Sequence, residues 1–147
     1  MDIDFITDLT NGFEISLSDN PQAVTGNRAV LNRFQITLLT NVQRYILDGE
    51  SISNGFGGDI GKYVGVPHIL DNPQSIGVAI STAIDMTVKS MKSDEPDRIM
   101  DTEKILGASL ISVETSGDTV SVVIEVIPVV VETFSDLIVR LPIVKRN

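Results

Sequence analysis

Apolar residues recur along the chain at three different spacings. Phe13, Ile15 and Leu17 alternate with Glu14, Ser16 and Ser18, a period of two that predicts a short half-buried strand. Asn11-Gly12 precedes it as a turn signal and Asn20-Pro21 ends it. Residues 1–10 read as an extended N-terminal arm.

Between Asn27 and Leu47 the spacing changes. Leu31, Phe34, Leu38, Val42 and Ile46 fall three or four residues apart and form the single apolar stripe of an amphipathic helix. Asp48-Gly49 reads as its stop. A second helix is predicted over Asn72–Lys92, with Asn72 as N-cap and Pro73 at the first helical position, where a missing N–H goes unused. Ile76, Ile80, Ala83, Thr87 and Met91 mark its inner face, with Ile84 and Val88 beside them. Pro96 disfavours helical geometry in Glu95 and ends it. Between the helices no period survives. Residues 49–71 are a glycine-rich loop with Gly55, Gly57, Gly58, Gly61 and Gly65 around Phe56, Ile60 and Tyr63, long enough to be functional or clamped by packing.

The last third returns to a period of two. Ser109–Thr115 and Thr119–Val131 flank the hairpin signal Ser116-Gly117-Asp118. Val120, Val122, Ile124 and Val126 share one face, while Val123 and Ile127 fill the other. Pro128 and Pro142 place their strands at an edge or an early end. Phe134–Val144 is a final strand. The fold class expected is α+β, with two amphipathic helices packed on a mostly antiparallel C-terminal sheet, in one domain over residues 1–147. Leu31, Phe34, Leu38, Ile80, Ile84, Val122 and Ile124 are the expected core.

Charge narrows the function. Lys and Arg number 11 against 20 Asp and Glu, a net charge of −9, which argues against nucleic acid as a partner, since that affinity comes from clustered cations. Lys145-Arg146 at the C-terminus is the one basic pair at neighbouring positions near a terminus and makes a weak patch. The absence of cysteine removes disulfides, thiolate nucleophiles and Cys-based zinc sites. The N-terminal residues lack a signal peptide's basic start and apolar run. The longest apolar candidate for a membrane span is cut by Glu125 and Pro128. A protein kept inside a cell or assembled there, away from membranes, is expected.

Candidate chemistry is sparse. The glycine loop misses both the phosphate-loop and the dinucleotide spacings, because Phe56 and Ile60 stand where glycines are required and a helix precedes the loop. His68 is the sole histidine, with Asp71 its near neighbour. No GxSxG elbow occurs. Asp94, Glu95, Asp97, Asp101 and Glu103 could hold a hard cation, but they lack the calcium-loop pattern and read as a solvated turn. No catalytic, cofactor or metal residues are assigned.

In order, "GFEISLSDN", the helix "VTGNRAVLNRFQITLLTNVQRYIL", the loop "NGFGGDIGKYVG", a second helix and the acidic "DEPDRI" resemble the baseplate wedge and sheath-initiator family of contractile phage tails and type VI secretion baseplates, a lysozyme-like baseplate subunit family. The resemblance spans residues 12–131. The family's Glu-Pro-Arg signature maps onto Glu95, Pro96 and Arg98, with Asp97 intervening here. The lysozyme label of some relatives is not carried over, because no catalytic pair can be named. The resemblance implies a structural, non-enzymatic subunit of the virion tail baseplate, assembled in the bacterial host cytoplasm. Its partners are sheath subunits and other wedge proteins, with six copies around the ring. It also implies that the turn at Glu95, Pro96 and Arg98 docks on a helical bundle of wedge proteins. Sheath arms complete an exposed sheet edge by β-augmentation. The runs holding Val129 and Val131, and Leu137 and Val139, are apolar with few charges and are the expected edge. Alternative readings are a small acidic hydrolase using Glu95 and Asp97, or a generic oligomeric binding domain.

Overall fold

The computed structural model describes residues 2–3, 5–8, 14–17, 23–42, 44–53, 55–63, 72–95, 100–117, 119–132 and 137–144. Phe13, Asn11-Gly12, Asn20-Pro21, His68, Asp71, Pro96, Asp97, Arg98 and Lys145-Arg146 lie outside them.

The N-terminal residues are extended and pair within the chain. Strand β1 (Asp2–Ile3) runs antiparallel to β4 (Ala23–Val24), and β2 (Phe5–Asp8) to β3 (Glu14–Leu17), with Phe5 opposite Leu17. Helix α1 then covers Gly26–Leu39, eight residues short of the predicted end. Its C-cap Thr40 is extended, and the chain re-forms as a hairpin of β5 (Arg44–Leu47) and β6 (Glu50–Ser53). Asp48 and Gly49 have φ of 51° and 81°. Two successive residues at positive φ make the tight turn that matches strand twist, and Asp-Gly is a favoured pair for it. The dipeptide read as a helix stop is therefore a hairpin turn. Val42 is buried, as the stripe implied, but from an extended segment held by its N–H donating to Asp59 Oδ1 at 3.0 Å.

Helix α2 spans Pro73–Asp94, and the side chain of its N-cap Asn72 accepts from the N–H groups of Gln74 and Ser75. Its predicted inner face is buried throughout, from Ile76 to Met91. The C-terminal sheet contains β7 (Ile105–Ser116), β8 (Thr119–Pro128) and β9 (Leu137–Val144) in the order β7-β8-β9, all antiparallel. The strand carrying Pro128 is thus the central one, and the proline ends it instead of marking an edge. Both helices lie on one face of the sheet, α2 along β7 and α1 across β8 and β9. Val30, Phe34, Leu38, Ile80, Ile84, Val120, Val122, Ile124 and Val139 fuse there into one core. Leu31, expected in the core, is half-buried at its margin.

Part of the glycine loop is explained by packing alone. Gly58 donates its N–H to Thr37 O at 2.8 Å, Asp59 to Thr40 O at 3.0 Å, and Gly57 to Ser90 Oγ at 3.0 Å. The loop supplies donors to the C-terminal carbonyls of α1, which have no partner within the helix. A Cβ on Gly58 would lie 2.6 Å from Leu38 O and against Thr87 Oγ1, so only glycine permits this approach. No helix among the described residues is long and apolar enough to cross a membrane.

Candidate strand-docking edge

The β7-β8 hairpin determines which backbone groups of the sheet are free. Ser116 and Thr119 close its two-residue loop, and the closing pair of such a hairpin exchanges both hydrogen bonds. In an antiparallel strand the N–H and C=O of one residue point the same way, and the next residue's point the other way. Thr119, Ser121, Val123 and Glu125 therefore face β7, and Val120, Val122, Ile124 and Val126 face β9. Their partners Ile143, Leu141, Val139 and Leu137 face back. Ile138, Arg140, Pro142 and Val144 point away from the sheet. Both prolines fit this alternation. Pro142 sits where no ladder bond is available, and Pro128 faces the β9 side beyond the last paired residue, Leu137. Among the described residues no strand pairs with the outer side of β9.

The same geometry sorts the four predicted edge residues. Val139 is 1% exposed and packs in the core, with its backbone turned to Ile124. It belongs to the ladder that supports the edge, so its assignment as a docking contact is corrected. Leu137 is half-buried and likewise turned inward, opposite Val126. Val129 and Val131 lie beyond the end of β8, outside any strand, where with Val130 they form an exposed apolar shoulder near the start of β9.

That shoulder is held firmly. Val129 donates its N–H to Lys104 O at 2.9 Å. The buried Asn27, in the first turn of α1, donates from Nδ2 to Val130 O at 2.7 Å and to Thr102 O at 3.0 Å, and its Oδ1 accepts from Glu132 N at 2.8 Å. Thr25, the N-cap of α1, makes no side-chain cap bond. Two remote carboxylates serve instead, Glu132 Oε2 accepting from Asn27 N at 3.0 Å and Glu103 Oε1 from Gly26 N at 3.3 Å. Negative charge at a helix N-terminus is favoured by the unpaired N–H groups and the dipole together. Gly26 has φ 63° and Glu132's carboxylate over its Cα, where a Cβ would collide.

Glu95, the first residue of the predicted docking turn, is the C-cap of α2. Its Oε1 accepts from Arg33 Nη2 at 2.7 Å and from Ile105 N at 2.8 Å. One carboxylate thereby ties α1 and the end of α2 to the first residue of β7. Pro96, Asp97 and Arg98 lie outside the described residues, so Glu95 alone of that turn is placed. Its side chain is only 9% exposed, and Oε1 is committed to the fold. Sequence reasoning missed Arg33, whose partner is 62 residues away, and Asn27, for the same reason. Beside Arg33 a cavity of about 210 Å³ opens between the helices, lined by Ile36, Phe56, Met91 and Asp94. No cluster of three or more His, Asp or Glu suited to a metal ion occurs among the described residues.

Comparison with protein-family models, with characterised proteins and with solved structures returns no match.

Proposed function

We propose that this chain is a structural subunit of a contractile-tail baseplate wedge that starts sheath assembly by lending the outer edge of β9 to a strand from a sheath subunit. The single observation that carries this reading is β9 itself. It is the terminal strand of the sheet, regular over Leu137–Val144, with no pairing partner on its outer side among the described residues. A regular edge attached to a rigid core is a template for β-augmentation. The valine shoulder beside the start of β9 adds apolar surface that an incoming chain would cover. The family resemblance supplies the partner class, the sixfold ring and the location in the virion baseplate. It also assigns the turn beginning at Glu95, through Pro96 and Arg98, to a wedge bundle.

The test is sheath nucleation by purified baseplates carrying variants of this chain, scored by electron microscopy. Arg140→Pro removes an outward N–H and leaves the ladder to β8 intact, so the protein folds and nucleation fails. Val139→Pro removes an inward bond and disrupts the sheet itself. Arg98→Glu tests the wedge contact separately, through incorporation of the chain into the baseplate. Normal sheath growth on Arg140→Pro baseplates would refute the edge role.

A further inference from the structure

The outer edge of β9 carries a proline and a charge, two devices by which natural sheets discourage indiscriminate pairing. Pro142 points outward without a donor, and Arg140, two residues away, is exposed and has no ion-pair partner among the described residues. The opposite edge is closed in another way. The register of β7 shifts between Ile105 and Gly107 and again between Leu110 and Ser112. Leu106 and Ile111 are left as unpaired bulge residues, 56% and 53% exposed. Bulges bend a strand and interrupt the even spacing of its donors. Among the described residues of this sheet, a long added strand thus finds regular pairing at β9 and not at β7, since the register of β9 to β8 runs without a shift from Leu137 to Val144.

Resting on the strand-docking reading, we infer that the β9 edge is selective: it admits a foreign strand bearing a carboxylate beside Arg140 and excludes a second copy of itself. Two copies of β9 laid edge to edge would bring two prolines into one ladder and set two guanidinium groups within a few ladder positions of each other. Like charges across a strand pair are destabilising, and opposite charges are stabilising. A foreign strand meets one proline, whose outward C=O still accepts, and one arginine, whose charge it can neutralise. The acid must stand on the outer sheet face with Arg140. The residues alternating with it fall on the helix-covered face that Val139 and Leu141 occupy, so they are apolar. Specificity of this kind combines an attraction with a built-in repulsion.

The test uses the full chain and two acetylated nonapeptides of alternating Val and Thr, one with Glu and one with Lys at the central outer-face position, followed by amide NMR titration. The net charge of −9 favours the Lys peptide at long range, an effect that falls off beyond about 8 Å at physiological salt. A preference for the Glu peptide must therefore be local. Expected are shifts at Ile138, Arg140 and Val144, about fivefold tighter binding of the Glu peptide, and the reverse preference in Arg140→Glu. The double variant Arg140→Val with Pro142→Val is expected to self-associate in light scattering. Equal binding of both peptides, or a preference for Lys, overturns the charge selection while sparing the edge. A double variant that stays monomeric overturns the exclusion of self-pairing. Shifts at Ala108, Leu110 and Val113, whose backbone groups point away from β8, in place of β9 overturn the choice of edge. No shift with either peptide removes the strand-docking reading as well.

Discussion

Asn27→Ala tests whether one buried amide organises the junction between α1 and the sheet. The substitution deletes the acceptor of Glu132 N and the donor to both Val130 O and Thr102 O. Helix propensity improves slightly, because alanine is the better helix former. Each orphaned backbone group at this part-buried site costs about 1 kcal/mol, so the sum is about 3 kcal/mol. A domain of this size has a total stability of about 5–15 kcal/mol, so the loss is large and measurable. Urea unfolding should show a lowered midpoint with an unchanged slope, since the surface exposed on unfolding stays the same. Hydrogen exchange should localise the effect, with the Glu132 amide losing protection well before those in the middle of β8. Asn27→Asp keeps the acceptor and loses both donors, and should fall between wild type and alanine. A midpoint shift worth less than about 0.5 kcal/mol, with Glu132 protection unchanged, would refute this account.

Further outcomes follow from the same geometry. Phe34→Ala removes a fully buried ring and should lower stability by about 3–5 kcal/mol in thermal or chemical unfolding. Gly58→Ala should destabilise, because its Cβ meets the carbonyl of Leu38, whereas Gly77→Ala in the second turn of α2, with nothing near its Cβ, should stabilise by about 0.5–1 kcal/mol. Glu95→Ala strips Arg33 and Ile105 N of their acceptor and should lower stability by about 2–3 kcal/mol. Glu95→Gln retains an oxygen for Ile105 and should lose less, which urea titration of the pair can separate.

Local signals in the sequence were legible where the structure makes local use of them. Asn72-Pro73 starts α2 because a side-chain oxygen and a missing N–H meet the needs of a helix's first turn within three residues. The Ser116–Thr119 turn and the buried row from Val120 to Val126 are equally local. The overrun of α1 had a definite cause. Val42 and Ile46 continue a spacing of four by coincidence, and Asp-Gly serves both helix stops and hairpins. The Tyr45-Ile46-Leu47 run just before that dipeptide, rich in residues that favour strands, was the signal for the hairpin. Long-range features left no such trace. Strand order depends on pairing across the gap between Pro128 and Leu137, and a composition rule about prolines could not distinguish a central strand that stops from an edge strand that continues. The Glu95–Arg33 clamp and the Asn27 junction join residues far apart in sequence. A carboxylate looks the same on paper whether it meets a partner protein or its own helix.

The start of α1 has a consequence for how the chain is made. Its first N–H groups are held by Glu103 and Glu132, and Asn27 is bonded to Glu132, a residue 105 positions further along. Phe34 and Leu38, on the same helix, are buried in a core that includes Val139 and Leu141. On a ribosome adding about 5–20 residues per second, α1 emerges several seconds before the strands that cover it. During that interval its partners are α2, the glycine loop and the N-terminal β1. Helices without tertiary partners are marginal in water, so the packing of α1 is complete only once β9 has been made. The nascent chain thus spends that interval with the stripe of its first helix incompletely covered, and β9 completes the cover.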